Sequence, residues 1–344
     1  MSPIVVGVDA GGTKTVAIVA EGERVLARAT GPGAKMRSGR GIACAATIAE
    51  VTRRALAETG RLRGDVLVAG AAGAGRDEEK EELRQALRTE SVAERLHVTG
   101  DTELALAAAF GEKPGIVVTA GTGSMAIARD PFGRLHRSGG YGWQMGDEGS
   151  GYAIGRAALG AVGRAADGRS PKTELSTLLL AATRSETLEM LVRWAAAAGP
   201  PEVAALAPAV FTAAQQGDTV AAGIIDYGAR ELTALVHRLL PDFGADVRQP
   251  VDVALNGGLL FAEGPLYRLL TTKLAEEPRL RLRSEPLDPA TGAIHLAARL
   301  RRNSGVAGRG AAGLTQTPRR RGPQRNCSLI MGSLQGEPMV LLWV

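Results

Sequence analysis

Two short glycine-rich segments of this chain have the composition of phosphate-binding turns. The first reads DAGGTKT and follows an apolar run; glycines there let backbone N–H groups point into a concavity that suits an anion. Two hydroxyls and an ammonium group add to the candidates, which are Gly11, Gly12, Thr13, Lys14 and Thr15. Asp9, at the end of the apolar run, could hold Mg²⁺ through water, because magnesium keeps much of its hydration in proteins. The alternative is a plain hairpin with a solvated lysine.

The second segment, GTGS, contributes Gly121, Thr122, Gly123 and Ser124. With the residues after it, it mimics a dinucleotide-binding fingerprint, but a strand pattern follows where that motif needs a helix. Neither segment is a P-loop, since no GK[ST] occurs in the chain. Two glycine hairpins that face each other across a cleft would instead clamp a nucleotide polyphosphate from both sides.

Asp101 stands between a predicted strand and a predicted helix, in the sequence GDTE. One interpretation is that its side chain caps the helix. The other is that Asp101 is a general base that accepts the proton of an attacking hydroxyl group, in line with the γ-phosphorus of a nucleotide. Strand ends that face a cleft are suitable places for such a base, and both interpretations stay open.

The segment GGYGWQMGDEGSGY, residues 139–152, holds six glycines and the adjacent acids Asp147 and Glu148. Glycine is poor material for a helix or strand, because it adds backbone freedom that folding must remove. The segment is therefore either a tolerant surface loop or a backbone shaped to approach a ligand closely. Gly149 and Ser150 are expected to open the helix that follows it.

The secondary-structure elements that would position these candidate residues follow the same order twice along the chain. The first third predicts three strands and then alternating helices and strands: Ile4–Val8, Val16–Ala20, Val25–Arg28, Ile42–Thr59, Val66–Ala69, Asp77–Arg88 (with Asp77 as N-cap), Leu96–Thr99 and Glu103–Phe110. The order restarts with strands Ile116–Ala120, Ser124–Arg129 and Arg134–Arg137, and after several helices reaches Val251–Leu255 and the pair Gly257-Gly258. A repeat of this size predicts two related α/β domains.

Composition excludes several classes of function. The net charge of +5 comes from the C-terminal segment: seven arginines and one acid follow position 300, which leaves the rest at −1. The high isoelectric point therefore does not indicate nucleic-acid binding. Two distant cysteines and four scattered histidines lack the spacing of metal ligands, and a reducing cytosol is expected. No segment has the length and apolar composition of a membrane span.

The chain resembles the N-acetylglucosamine kinase family, within the actin-like ATPase and sugar-kinase superfamily. The segments that carry the resemblance cover residues 1 to about 300: VGVDAGGTKT, GDTELALAAAF, VTAGTGS, GGYGWQMGDEGSGYAIG, LNGGLL and PLDPATGAIHLA. The resemblance implies two ribonuclease-H-like domains that close over ATP·Mg²⁺ and an amino sugar, in a homodimer. The expected domains are residues 1–113, joined by a returning helix at 289–302, and residues 114–288, with a disordered or aberrant tail at 303–344.

The resemblance also implies roles for single residues. Asp101 matches the catalytic aspartate and also contacts the sugar. The ATP site comprises the two glycine turns and Asp9, which holds Mg²⁺ through water. The pair Gly257-Gly258 resembles the turn on the adenosine side. The family's sugar-contacting segment is matched here by Gly140, Tyr141, Gly142 and Asp147. Asp147 is therefore read as a specificity element rather than half of a catalytic pair.

One segment departs from the family pattern. After the third strand, where many relatives have an asparagine that contacts sugar hydroxyls, this chain reads GPGAKMRSG, residues 31–39. Ala34 cannot make that hydrogen bond. Either Lys35 or Arg37 could take the place of the family's asparagine. Loss of a polar partner relaxes or changes specificity, because buried hydroxyls are left unpaired.

The expected activity is ATP-dependent phosphorylation of an amino-sugar hydroxyl, O6 of N-acetylglucosamine or glucosamine, by a cytoplasmic enzyme that binds neither nucleic acid nor membrane. Two alternatives stay open at this point. One is an ATPase that activates acyl-CoA dehydratases or reductases, which would need cysteines for an iron–sulfur cluster. The other is a catalytically silent sugar-binding protein on the same fold.

Overall fold

The structure is a computed structural model that describes residues 3–244, 249–285 and 287–307. Its ten described strands, β1 to β10, are Ile4–Ala10, Lys14–Glu21, Arg24–Pro32, Gly64–Ala71, Ala93–Gly100, Gly115–Ala120, Ser124–Arg129, Leu135–Gly139, Val251–Asn256 and Leu280–Leu282. Its eleven described α-helices, α1 to α11, are Gly41–Ala57, Asp77–Glu90, Asp101–Phe110, Gly151–Ala166, Leu175–Thr183, Leu188–Ala197, Pro200–Ala204, Ala207–Gln215, Thr219–Leu239, Pro265–Ala275 and Pro289–Ala307. Most of the tail predicted to begin at Asn303 lies outside the described residues.

The first sheet has the strand order β3-β2-β1-β4-β5. The pairs β1–β2 and β2–β3 are antiparallel, whereas β1–β4 and β4–β5 are parallel. The apolar run of β1 is almost fully buried, as expected for a central strand with both faces covered. Ala10, Ala71 and Gly100 are paired in register, so the carboxyl ends of β1, β4 and β5 form one edge of the sheet.

The second sheet repeats this arrangement, with the order β10-β9-β6-β7-β8. Strands β6, β7 and β8 are antiparallel, and β9 and β10 are added in parallel on the other side of β6. Each sheet thus consists of a three-stranded antiparallel unit followed by parallel strands, as the sequence repeat predicted. The predicted α/β class is confirmed.

Helices cover both faces of each sheet. Helices α1 and α2 pack on one face of the first sheet through residues such as Ile48 and Leu83. Helices α4, α8, α9 and α10 cover a face of the second. Helix α3 lies between the sheets, because Leu104 joins the cluster on the first and Leu106 and Phe110 pack on the second. Burial of these apolar side chains provides the main favourable contribution to folding.

Helix α11 packs on the first sheet, although it comes from the far end of the chain. Its residues Ala293 and Ala297 contact the apolar face formed by β1 and β4. Two glycines permit the close approach: a Cβ at Gly7 would lie 2.6 Å from the carbonyl oxygen of Ala290, and a Cβ at Gly292 would lie 2.1 Å from that of Leu104. Both sheets belong to one compact unit that ends at Arg302. The domain boundaries stay a prediction.

One local prediction was wrong, and one strand was missed. Arg76, and not Asp77, is the N-cap of α2, and Asp77 is the first helical residue. Strand β10 was not predicted, because three residues in a charged segment carry little periodic signal. Among the described residues, no helix is both long and apolar enough to span a bilayer.

Candidate active site

The first glycine turn joins β1 to β2 at the edge where the parallel strands end. It is closed by a hydrogen bond from the N–H of Gly11 to the carbonyl oxygen of Lys14, at 2.9 Å. Gly12, Thr13 and Lys14 are exposed, and a Cβ at Gly12 would meet no atom within 4 Å. Backbone groups of this turn are therefore accessible to a ligand.

The segment that follows β3 packs against the first glycine turn. The N–H of Ala34 donates to the carbonyl oxygen of Gly11 at 3.0 Å. A Cβ at Gly33 would lie 2.3 Å from the carbonyl oxygen of Gly12, so only glycine fits at this position. The segment after β3 thus fixes the shape of the first turn.

Thr15 differs from the other residues predicted for this turn. Its side chain is 0% exposed, and its hydroxyl has no hydrogen-bond partner. An enclosed hydroxyl does not face a cleft, so Thr15 supports the start of β2 instead of offering its side chain to a ligand. The hydroxyl of Thr13 is the one that the turn exposes.

Asp9 and Asp101 lie at the same edge of the first sheet, with β4 between their strands. Asp9 pairs with Gly70 in β4, and Asp101 follows Gly100 at the end of β5. Burial, together with the negative charge of Asp101, raises the pKa of Asp9 to about 7. Burial also raises the pKa of Asp101. Two carboxyl groups that are costly to ionise in the folded protein are common at functional sites.

Asp101 is not the cap of α3, because Gly100 is the N-cap and no side chain makes a capping hydrogen bond there. It is the first residue of α3, after Gly100 as N-cap, and its Oδ1 accepts a hydrogen bond from the N–H of Thr102 at 2.9 Å. One carboxylate oxygen therefore contacts the start of its own helix. The residue is half-buried, so it is partly accessible.

The second glycine turn joins β6 to β7 in the same way. The N–H of Gly121 donates to the carbonyl oxygen of Gly123 at 2.9 Å. The N-terminus of α4 packs on this turn, since the N–H of Gly151 donates to Gly121 at 2.8 Å. Ser150 caps that helix by accepting from the N–H of Ala153, as expected. The hydroxyl of Ser124 donates to the carbonyl oxygen of Glu148 at 2.6 Å, so it anchors the 139–152 segment.

Gly257 brings the end of β9 against this turn. Its φ of 102° favours glycine, and a Cβ there would lie 2.2 Å from the carbonyl oxygen of Ala120. The N–H of Leu259 donates to the same oxygen at 3.2 Å. Gly258 is open, with nothing within 4 Å of a Cβ. The predicted adenosine-side turn is thus adjacent to the second glycine turn.

Asp147 lies against the second glycine turn. A Cβ at Gly123 would be 2.7 Å from Oδ2 of Asp147, and Asp147 itself has a left-handed φ of 63°. Burial raises its pKa, whereas backbone hydrogen bonds from Ser124 and Gly142 act in the opposite direction. This carboxylate therefore ties the second turn to Gly142 in the 139–152 segment.

The remainder of the 139–152 segment presents backbone and aromatic surface. Gly140 and Gly142 have positive φ values of 73° and 89°. The ring of Tyr141 is 64% exposed and lies under the guanidinium group of Arg137, 5.1 Å from the ring centroid. The ring of Trp143 packs on Tyr152, with 5.3 Å between centroids.

Two further residues at the site were not singled out from the sequence. Asp288 precedes α11 and forms an ion pair with Arg28 of β3, with Nη1 and Oδ2 2.6 Å apart. The charges of both residues act on Asp9. Asp288 lies in the quoted segment PLDPATGAIHLA, whose match to the family was the available signal.

Candidate ligands for a metal ion or an iron–sulfur cluster are scarce among the described residues. Among the described residues, no group of three or more His, Cys, Asp or Glu side chains is arranged to hold a metal ion. Cys44 is buried and donates from Sγ to the carbonyl oxygen of Ala34 at 3.1 Å, and Cys327 lies outside the described residues. Cys44 is therefore not placed at the surface, where an iron–sulfur cluster between subunits would need it.

Comparison with known proteins identifies relatives over most of the chain. A model of the BadF/BadG/BcrA/BcrD ATPase family matches residues 6–297. An N-acetylmuramic acid/N-acetylglucosamine kinase of Clostridium acetobutylicum is 30% identical over 299 residues, which cover 85% of this chain and 97% of that protein. An N-acetyl-D-glucosamine kinase of Dictyostelium discoideum is 31% identical over 312 residues, which cover 86% and 97%.

A solved structure gives the same picture of the fold. A protein from Chromobacterium violaceum, provisionally described as an N-acetylglucosamine kinase, has a TM-score of 0.71 and 27% identity, covering 86% of this chain and 99% of that one. The resemblance seen in the sequence and the predicted fold class, α/β with two sheets of the actin-like ATPase type, are confirmed.

Proposed function

The chain belongs to the BadF/BadG/BcrA/BcrD ATPase family, and we propose that it is an ATP-dependent kinase that phosphorylates a hydroxyl group of an amino sugar. The observation that carries this proposal is Asp101, a carboxyl group with a raised pKa at the edge that it shares with the first glycine turn. The names of the relatives in Clostridium and Dictyostelium support the amino sugar as acceptor.

Asp101 acts as general base in this proposal. Its carboxylate accepts the proton of the sugar hydroxyl as the hydroxyl oxygen bonds to the γ-phosphorus. The bond from the γ-phosphorus to its bridging oxygen then breaks, and ADP leaves. A raised pKa makes the carboxylate a stronger base, provided that it is still ionised near neutral pH. Lys35 contributes to that balance, because its positive charge lowers the pKa of Asp101.

The two glycine turns hold the phosphate groups. The N–H groups of Gly11 and Gly121 close the turns, so the backbone N–H groups of Gly12 and Gly123 are the proposed donors to the anion. The hydroxyls of Thr13 and Thr122 and the charge of Lys14 add to them. Gly257-Gly258 would flank the adenosine. Phosphoryl transfer asks for little covalent chemistry from the protein, so positioning and charge neutralisation account for most of the rate.

The residues present fit a magnesium ion. Asp9 is a hard oxygen donor whose buried charge is unfavourable beside Asp101, so a cation there would relieve both. One carboxylate, together with water and phosphate oxygens, is a usual environment for Mg²⁺. When bound, the ion would neutralise charge on the transferred phosphoryl group. Asp9 would hold it through water.

The proposed contacts to the sugar are Gly140, Tyr141, Gly142 and Asp147. The proposed acceptor atom is O6 of N-acetylglucosamine or glucosamine. Positive φ values at Gly140 and Gly142 expose backbone groups that suit a ligand rich in hydroxyls. A cytoplasmic homodimer is also proposed, and light scattering on the purified full-length chain measures its mass.

The test is ADP release in the presence of amino sugars. Asp101→Asn should lower sugar-dependent turnover about a thousandfold while nucleotide binding persists, because the amide keeps the shape but cannot accept the proton. Asp77→Asn is the matched control, since Asp77 is likewise the first residue of a helix and its side chain is fully exposed. Near-normal turnover in Asp101→Asn would refute the assignment.

A further inference from the structure

The segment at 33–41, which packs against the first glycine turn, is fixed at its beginning by two backbone hydrogen bonds. The N–H of Ala34 donates to the carbonyl oxygen of Gly11 at 3.0 Å, and the N–H of Met36 donates to that of Ala72, just beyond the end of β4, at 2.8 Å. The side chains of Ala34 and Met36 are buried. The first half of the segment is therefore held against both the turn and the sheet.

The end of the same segment is held by a side chain of α2. Both carboxylate oxygens of Glu82 accept backbone N–H groups: Oε2 accepts that of Gly39 at 3.1 Å, and Oε1 accepts that of Gly41 at 2.7 Å. A Cβ at Gly41 would lie 2.8 Å from Oε1, so the absence of a side chain there lets the carboxylate approach. These two N–H groups precede Glu82 by 43 and 41 positions, so only the packing of α2 beside α1 brings them together.

The carboxylate of Glu82 also replaces a cap that α1 lacks. The N-cap of α1 is Arg40, whose side chain makes no capping hydrogen bond, and the first turn of this helix contains no acidic residue. The first N–H groups of a helix need acceptors from outside the helix, and negative charge is favourable there. Because hydrogen bonds to an ionised group are stronger than neutral ones, Glu82 is a firm anchor for the junction between the segment and α1.

Close contacts connect this anchor to the first glycine turn. A Cβ at Gly33 would lie 2.3 Å from the carbonyl oxygen of Gly12, and a Cβ at Gly73 would lie 2.1 Å from that of Met36. Tightly packed groups transmit a displacement to their neighbours, because no void is present to absorb it. A shift of the segment would therefore move the backbone of Gly12, whose N–H is a proposed donor to the phosphate groups.

We propose that Glu82 is a positioning residue for nucleotide binding: it fixes the end of the 33–41 segment and thereby keeps the first glycine turn in its phosphate-binding conformation. This inference rests on the proposed kinase function, which assigns the phosphate groups to that turn. Glu82 acts through the backbone of the segment and takes no part in proton transfer.

The test is the KM for ATP in the full-length protein, with Mg²⁺ and saturating N-acetylglucosamine. Glu82→Ala should raise this KM about tenfold, because a small misplacement of binding groups weakens their contacts. Glu82→Gln keeps one acceptor oxygen and should give an intermediate value. Glu81→Ala is the matched control, because the neighbouring carboxylate accepts hydrogen bonds from Arg84 and Gln85 of its own helix, and its loss should leave the KM within about twofold.

The KM distinguishes positioning from a purely structural role. Partial unfolding lowers the concentration of active enzyme, and with it the apparent kcat, but it leaves the KM of the folded molecules unchanged. A lower kcat or a lower unfolding midpoint in Glu82→Ala, with an unchanged KM for ATP, would therefore reduce Glu82 to a cap of α1 and refute the inference. An equal rise of the KM in Glu81→Ala would also refute it, because the effect would then come from α2 as a whole.

Failure of the kinase proposal would be seen separately. If the wild type releases no ADP with any amino sugar, calorimetry with Mg²⁺ and ADP still tests Glu82. Binding of ADP that is about tenfold weaker in Glu82→Ala than in the wild type supports the inference. Equal affinities, or no binding of ADP by the wild type, overturn it.

Discussion

The carboxyl group of Asp9 should make the protein less stable as the pH rises. Burial raises its pKa from 3.8 to about 7, and the charge of Asp101 adds to that effect. Between about pH 4 and pH 7 the folded protein therefore binds a proton that the unfolded chain has released. The free energy of unfolding consequently falls as the pH increases through this window. A shift of about three units, at 1.36 kcal/mol each, gives an upper limit of about 4 kcal/mol.

Asp9→Asn removes the charge and keeps the shape of the side chain. The variant should gain stability relative to the wild type as the pH increases from 4 to 8, by about 2–4 kcal/mol after allowance for water near the group. Urea unfolding followed by circular dichroism, at unit steps of pH and without nucleotide or metal, measures this difference. Asp77→Asn is the control, because it makes the same substitution at a fully exposed carboxylate outside the site.

The result that refutes this reasoning is a constant difference between Asp9→Asn and the wild type across the whole range. It would mean that the site solvates the charge of Asp9 as well as water does. A second measurement separates binding from stability: Mg²⁺ with ADP at pH 8 should stabilise the wild type more than the variant. Equal stabilisation of the two proteins would remove Asp9 from the metal site.

Three further substitutions test other contacts. Gly257→Ala places a Cβ 2.2 Å from a backbone oxygen at the end of β6, so we expect a loss of about 2–4 kcal/mol in urea unfolding, against less than about 1 kcal/mol for Gly258→Ala; equal losses would contradict the close contact. Ser150→Ala removes the cap of α4 and should cost about 1 kcal/mol, most of which Ser150→Thr should restore. Lys35→Met removes a charge that lowers the pKa of Asp101, so the acidic limb of the pH profile of kcat/KM should move to higher pH. A limb that stays in place would mean that Asp101 is not the titrating base.

The strands that carry the site were predictable because they are short apolar runs bounded by glycine or charged residues. The bounds of β7 are as predicted, and β1, β6 and β9 are longer by one or two residues. The extension of β1 is informative, because it includes Asp9 in the strand and pairs it with Gly70. Propensity alone could not indicate this, since aspartate is unfavourable in strands and the neighbouring β4 decides the pairing.

The members of the candidate site were proposed from the sequence, but their contacts could not be predicted from it. Nothing local distinguishes Thr13 from Thr15, and only the start of β2 determines that the second hydroxyl is enclosed. Asp147 lies against Gly123 only in the folded chain, and their separation in the sequence does not indicate this contact. Lys35 was left as an alternative to Arg37, since its direction depends on hydrogen bonds to two distant carbonyl groups.

The ion pair between Arg28 and Asp288 is the contact that was least predictable from the sequence. These residues are 260 positions apart, and neither stands in a segment whose local pattern indicates an ion pair. Their contact follows from the position of α11 on the first sheet. A single sequence carries no direct information about such a long-range pair.

The position of α11 also sets an order of events during synthesis. The apolar face formed by Val5, Val66 and Val68 is covered by Ala293 and Ala297, which are translated more than two hundred residues later. Until those residues leave the ribosome, the nascent first sheet exposes the part of this face that Leu104 does not cover and stays open to incorrect association. A chain that ends before residue 289 should therefore aggregate, although it contains every strand of both sheets. The fold is complete only when a helix from the C-terminal part of the chain docks onto a sheet from the beginning.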